Sequence, residues 1–289
     1  MKDLEFCRNG YSAETQTRDE TLFHCANGYL GVRGSLEEGC PDGVTSIRGT
    51  YLNGFCEDED ICYGERLYGF PATKQVMVNL PDAQGVRLFA CGRMAACWDA
   101  DAMDVRRTLD LEAGVSKRSF RWKTQQGTLC IAVTRMASFV RRELFLLRYE
   151  IGSEDFSGEI RLDSTLESGV HNFCDPGDPR VASETAQKIA VTRQLLEGDC
   201  VGLLAATIRS RRRVACVALH ELQGEAPQLL CEGSELSARY TRTLGPGETL
   251  TLTKYCVYTD APEPQDLLSD ALALARDARR KGFRFWQSG

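Results

Sequence analysis

The sequence predicts a mainly β chain, a large antiparallel β-sandwich with a C-terminal linker helix, and three observations carry that reading. Between Val76 and Tyr258 short segments alternate apolar and polar residues and are broken by Gly, Asp or Pro, the pattern of half-buried antiparallel strands. About a dozen such segments follow one another with no helical period between them, which favours stacked sheets over a parallel α/β fold. The one strong helical period comes at the end, between Pro264 and Gly282.

Taken in order, the clearest strands are Asp104 to Leu111, Ser116 to Lys123, Thr128 to Met136, Glu143 to Ile151, Glu159 to Leu166, Val201 to Arg209, Arg213 to Leu222 and Glu248 to Tyr258. Turn residues separate them at Gln125-Gln126-Gly127, Glu197-Gly198-Asp199 and Gly245-Pro246-Gly247. In the closing helix Leu267, Leu268, Ala271, Leu272, Leu274, Ala275 and Ala278 recur at helical spacing. Glu263 and Asp266 at its start and Arg276, Arg279, Arg280 and Lys281 near its end match the helix dipole, and Gly282 is a natural stop. Phe283, Phe285 and Trp286 follow, so an apolar stripe and three aromatics need a surface, either on the sandwich or on a further domain. Before residue 75 the chain is rich in Gly, Cys and aromatics, with weak strand signals.

With 289 residues, 43% apolar and 26% charged, the chain buries a sizeable core and is not disordered. The net charge of −6 gives no general attraction for nucleic acid or an anionic bilayer, so neither is expected as a partner. The start, MKDLEFCRNG, lacks the apolar core of a secretion signal, and no apolar run reaches the roughly 18 residues of a membrane span; the expected location is cytoplasmic. Thirteen cysteines, an odd number with no C-x-x-C pair, read as reduced core residues, as at Cys130, Cys216 and Cys256. No metal site is expected, because His24, His171 and His220 are scattered without ligand spacing.

Three places invite a chemical reading. Gly28, Gly31 and Gly34 recur every third residue, but G-x-x-G-x-x-G is not a phosphate-loop spacing and no helix follows, so close backbone passage is the simpler role. Tyr51, Phe55, Tyr63, Tyr68 and Phe70 supply five rings in 20 residues beside Asn53 and the run Glu57 to Asp60; that is either a sugar platform or core aromatics beside a solvated acidic loop. Glu37 and Glu38 are paired carboxylates, but on a strand neighbours face opposite sides and cannot flank one glycosidic bond. Arg209, Arg211, Arg212 and Arg213 form the only basic cluster and read as a solvated hairpin tip, and the three histidines as structural.

TLFHCANGYLGVRGSLEEG (Thr21 to Gly39) followed by RGTYLNGF (Arg48 to Phe55) closely resembles the start of glycoside hydrolase family 65, which includes maltose, trehalose and kojibiose phosphorylases. LDLEAGVSKRSFRWKTQQG (Leu109 to Gly127), RRELFLLRYEI (Arg141 to Ile151) and GETLTLTKYCVYT (Gly247 to Thr259) look like successive strands of the same N-terminal domain, so the resemblance spans essentially the whole chain.

The resemblance implies a galactose-mutarotase-like super-sandwich over residues 1–262, then residues 263–289 as the start of a helical linker to an (α/α)6 catalytic barrel that lies outside this chain. It places the general-acid glutamate and the phosphate site on that barrel. No catalytic residue, metal or cofactor is therefore expected here; inorganic phosphate is the co-substrate of the full enzyme. There the acid protonates the glycosidic oxygen of an α-glucoside disaccharide while phosphate attacks the opposite face, with inversion to β-glucose 1-phosphate. The full enzyme is expected to be a homodimer. Asn27, Tyr29, Arg33, Glu37, Glu38, Tyr51, Asn53 and Phe55 become candidates for the substrate rim or a domain interface. Two rival readings are a free-standing carbohydrate-binding module and, on fold analogy alone, an aldose mutarotase-like epimerase.

Overall fold

The computed structural model describes residues 4–61, 68–174, 187–261 and 266–287. In chain order the strands begin with β1 (Glu5–Asn9), β2 (Cys25–Ala26), β3 (Leu30–Val32), β4 (Thr50–Leu52), β5 (Cys56–Asp60) and β6 (Thr73–Met77). There follow β7 (Val86–Ala90), β8 (Arg93–Met94), β9 (Ala102–Asp110), β10 (Val115–Thr124), β11 (Gly127–Ala137), β12 (Leu144–Ser153) and β13 (Gly158–Glu167). The last are β14 (Ile189–Glu197), β15 (Cys200–Thr207), β16 (Arg213–Leu222), β17 (Gln228–Glu232), β18 (Glu235–Leu244) and β19 (Thr249–Ala261). The α-helices are α1 (Gln16–Leu22), α2 (Leu267–Lys281) and α3 (Phe283–Gln287). All eight predicted strands are present, with each boundary within three residues of the observed one.

The strands form an antiparallel sandwich. A nine-stranded sheet, ordered β1-β9-β10-β11-β12-β19-β16-β15-β14, faces a five-stranded sheet, β17-β18-β13-β7-β8. Period-2 alternation assigns each side chain to a layer. Phe145, Leu147, Tyr149 and Ile151 of β12 and Cys216 and Ala218 of β16 point into the core between the sheets, with Leu162 and Leu166 of β13 opposite. Leu144, Leu146, Ala215, Val217, Leu219, Tyr255 and Val257 point outward, yet they too are buried. Their cover is α2, whose Leu267, Leu268, Ala271, Leu272, Ala275 and Ala278 lie in the same outer cluster with Phe283 and Trp286. These stretches of β12, β16 and β19 are thus buried on both faces rather than one, and the sandwich itself supplies the surface that the helix and the aromatic tail require.

The helix ends follow their sequence signals. Asp266 caps α2, accepting from the Ser269 hydroxyl at 2.7 Å, and Gly282 takes the left-handed φ of +79° that lets the chain turn into α3. Arg276 and Arg279 pair with Glu197 and Asp199 at the β14–β15 turn, which ties the helix to the sheet edge. Glu263 and Pro264 lie outside the described residues.

Two polar groups cross the core. Lys254 of β19 and His220 of β16 are cross-strand neighbours on the inner face and are both fully buried. Lys254 Nζ donates to the Thr165 and Gly85 carbonyls (2.6 and 3.2 Å), while His220 Nε2 lies 2.9 Å from Ser164 Oγ and Nδ1 3.0 Å from the Asp199 carbonyl. Burial, and then the Lys254 charge, push the imidazole down to about 3, so His220 stays neutral and structural. Cys216 and Cys256 are free and fully buried, whereas Cys130 is only half-buried and its thiol donates to Glu154 at 3.0 Å.

Candidate functional site

The Thr21 to Phe55 segment wraps the sandwich as a small three-stranded sheet, β2-β3-β4, with a long loop over residues 33–49 before β4. Of the three glycines spaced by three, Gly34 meets the chain most closely: a Cβ there would stand 2.7 Å from the backbone C and O of Phe23, whereas at Gly31 the nearest atom would be 3.9 Å away. Gly34 N donates to the Glu20 carbonyl and its own carbonyl accepts from buried Arg107, so the segment is a packing device and not a phosphate loop. Gly34→Ala is expected to cost about 1–3 kcal/mol through forced backbone displacement, and Gly31→Ala less than about 1 kcal/mol; thermal denaturation of the pair checks both.

Glu37 and Glu38 do not lie on a strand but in the turn after Leu36, and that turn brings both side chains to one partner. Arg118 of β10 donates to Glu38 through both terminal nitrogens (2.6 and 2.5 Å) and to Glu37 at 2.5 Å. Arg135 of β11 stands 3.2 Å from Glu37 and donates to the Ser35 carbonyl, while Arg107 of β9 donates to the Gly34 carbonyl and stacks on Phe23 at 4.4 Å. All five side chains are at least nine-tenths buried. Burial alone raises a carboxyl, but Arg135 and Arg118 outweigh it and hold Glu37 at about 2. A group so ionised has no proton to give as a general acid near neutrality.

The three arginines were the part hidden from sequence reasoning. A signal existed: Arg118 has the strand parity of core residues Phe120 and Trp122, and Arg135 that of Ile131 and Val133. A charge at an inward position demands a buried partner.

The other candidates divide. Asn27 and Tyr29 sit at one end of the nine-stranded sheet, against the β11–β12 hairpin. Asn27 Nδ2 donates to the Ser138 and Arg142 carbonyls (2.7 and 3.0 Å), Arg142 covers the Tyr29 ring at 4.3 Å, and Tyr29 donates to Asp260 at 2.6 Å. Asn53 is exposed and donates to the Gly28 carbonyl. Arg33 and Tyr51 line a cleft of about 330 Å³ with Thr21 and His24, and Arg33 is fixed by the Thr17 carbonyl and the Thr21 hydroxyl. Phe55 is a core residue. The aromatics of 51–70 therefore share no common setting: Phe55 is interior, Tyr51 half-buried, Tyr68 and Phe70 exposed, and Tyr63 outside the described residues.

The acidic run is not a solvated loop. It forms β5, paired with β6, and Glu57 turns inward to accept the Arg209 and Ser210 backbone N–H groups at 2.7 and 2.8 Å. The arginine hairpin stays exposed at Arg209, Arg211 and Arg212, as expected of a tip, but it is also tied down, with Arg209 on Asp60 and Arg212 on Asp260 and the Gly54 carbonyl. At buried Glu57, peptide N–H groups supply what water would otherwise have supplied.

A larger cleft of about 510 Å³ opens between the Glu37 to Arg48 loop and the end of the five-stranded sheet. In its lining Arg48 pairs with Asp82 at 2.6 Å and Arg87 with Glu235, while Glu167 accepts the Gly169 N–H. Asn79 knits its floor, accepting from Thr50 N and donating to the Arg48 and His171 carbonyls.

Known proteins resemble this chain along its length. Residues 6–286 match the family description "Glycosyl hydrolase family 65, N-terminal domain". An alpha,alpha-trehalose phosphorylase of Geobacillus stearothermophilus is 35% identical over 255 residues, 87% of this chain and 33% of that protein. Another, from Thermoanaerobacter brockii, is 29% identical over 281 residues, 95% of this chain and 36% of that one. A solved structure described as a putative kojibiose phosphorylase from human microbiome superposes over 98% of this chain and 36% of its own with a TM-score of 0.84; at 20% identity it shows the fold alone. The chain spans about a third of the length of the curated relatives it matches. No helix among the described residues is long and apolar enough to cross a membrane.

Proposed function

Because the chain belongs to glycosyl hydrolase family 65 through that family's N-terminal domain, we propose that it is the non-catalytic β-sandwich of a phosphorylase acting on α-linked glucose disaccharides. The observation that carries this reading is the Arg118 cluster: the carboxylates of the most specific motif are spent on burial and ion pairing, which leaves them structural. The acid that protonates the leaving oxygen and the groups that bind phosphate then belong to a barrel outside this chain, where inversion yields β-glucose 1-phosphate.

The end of the sandwich that holds Asn27 and Tyr29 supports a docking role. Beside them the β11–β12 hairpin presents Phe139 and Val140, 71% and 53% exposed. Single exposed apolar residues are ordinary, but these adjoin an ordered polar scaffold that holds the hairpin rigid. The occupant proposed is the rest of the same protein, the two-thirds of length that the relatives carry beyond this region, with a homodimer in the full enzyme and a cytoplasmic location. The test is to incubate the purified 289-residue chain with trehalose, kojibiose or maltose and inorganic phosphate. No sugar 1-phosphate is expected, and its formation overturns the non-catalytic reading.

A further inference from the structure

A cleft that neither the motif segment nor the docking end uses lies at the β1–β9 edge of the large sheet. It measures about 620 Å³ and is lined by Asn9, Tyr11, Trp98, Asp99, Asp104 and Arg106, among others. Tyr11 and Trp98 form its aromatic wall, with ring centroids 5.9 Å apart and planes tilted by 49°. Each ring packs on the main core and remains half-exposed, so both are held in place before any ligand arrives. The frame is equally fixed: Gly10 N donates to the Val105 carbonyl at 2.7 Å, and Ala102 N to the Asp99 carbonyl at 3.0 Å.

Two carboxylates flank the rings in different states. Asp99 receives Arg93 through both oxygens at 2.8 Å and the Asp101 N–H at 3.0 Å, which orients it and leaves lone pairs for further donors. Asp104 has a left-handed φ of +55°, a conformation costly for a non-glycine residue, where the β9–β10 register slips. The slip aims its carboxylate outward; the side chain is 70% exposed and touches Arg121 only at 3.4 Å.

We infer that this cleft is a binding site for a neutral oligosaccharide, with pyranose rings laid on Trp98 and Tyr11 and their hydroxyls donating to Asp104 and Asp99. A sugar suits these groups: its C–H faces take the aromatic area, its hydroxyls are the donors that two acceptor-only carboxylates lack, and its oxygens accept from Arg106 in the same lining. An anionic ligand would face both carboxylates. The choice of α-linked glucose units rests on the reading under Proposed function; the sugar class itself rests on the rings and carboxylates.

Trp98 is also a built-in probe, because the other two indoles, Trp122 and Trp286, are buried. Titration of the 289-residue chain with maltotriose, followed by Trp fluorescence and by calorimetry, is expected to saturate with a Kd on the order of 1 mM. Cellotriose serves as the linkage control and should bind at least about tenfold more weakly, which is about 1.4 kcal/mol. By calorimetry Trp98→Ala should weaken maltotriose binding by at least about tenfold and Asp104→Ala by about threefold, with unchanged circular dichroism. Should Trp98→Ala not fold, Trp98→Phe and Asp104→Ala carry the test. Absence of saturable binding, or binding unchanged in these variants, overturns the site; a response to cellotriose but not maltotriose overturns the α-linked assignment. The phosphorolysis assay reads turnover and this one reads binding at Trp98, so failure of either is distinguishable from failure of the other.

Discussion

Arg118→Met should destabilise the domain by about 3–5 kcal/mol, because it removes the one side chain that grips both Glu37 and Glu38 inside the protein. The charges left behind balance in number, Arg107 and Arg135 against the two glutamates, but not in space. Arg107 donates to the Gly34 carbonyl, and Arg135 reaches Glu37 while sharing itself with the Ser35 carbonyl and Gln84. Glu38 keeps the Cys97 amide, which carries no full charge. Chemical denaturation at neutral pH measures the loss. Arg118→Lys should recover only part of it, since an ammonium cannot offer the planar fork that meets two carboxylates at once.

The pH dependence separates this charge effect from lost packing. In the wild type the Glu37 carboxyl sits at about 2, below its ordinary value of 4.5. Its contribution to stability is therefore fully present above about pH 4.5 and is lost as pH falls towards about 2. In Arg118→Met, Arg135 and a backbone hydrogen bond are left to oppose the effect of burial on Glu37, and the carboxyl moves upward. The deficit of the variant is accordingly largest at neutral pH and narrows on acidification below about pH 4.5. A deficit that stays constant between pH 7 and pH 3 would assign the role of Arg118 to packing alone.

Why this cluster escaped the sequence while the strands did not is a matter of range. Alternation is local, so β9 to β13, β15, β16 and β19 were legible from their own residues, as was the Gly282 stop of α2. The meeting of Glu37 and Glu38 with Arg118 spans some 80 positions and depends on a turn that no periodicity announces. The same limit applied to the acidic run and the arginine hairpin, whose contact joins Glu57 to Arg209 across 152 positions. Each half alone reads as solvated polar chain. Among the candidate rim residues, only geometry separates core Phe55 and the buried glutamates from Asn27, Tyr29, Arg33, Tyr51 and Asn53, which keep some exposure.

The second large effect is expected at the outer layer. Trp286 is 4% exposed, packs in the cluster that α2 forms with the outward residues of β12, β16 and β19, and donates its indole N–H to the Ala278 carbonyl at 2.9 Å. That bond occupies a carbonyl near the end of α2, so α3 acts as both apolar anchor and cap. Trp286→Ala removes the anchor and the donor together and should cost about 3–5 kcal/mol. Phe285, 47% exposed on the same short helix, is the control, and its alanine variant should stay within about 1 kcal/mol of wild type. Hydrogen exchange locates the damage. In Trp286→Ala the amides of α2 should exchange much faster, because the face that covers Leu144, Leu146, Val217 and Val257 comes loose, while β13 keeps its protection from the inner core. Uniform acceleration of β13 and α2 would instead mean that the two layers unfold as one cooperative unit, with the helix an integral part of the sandwich rather than a separable cover.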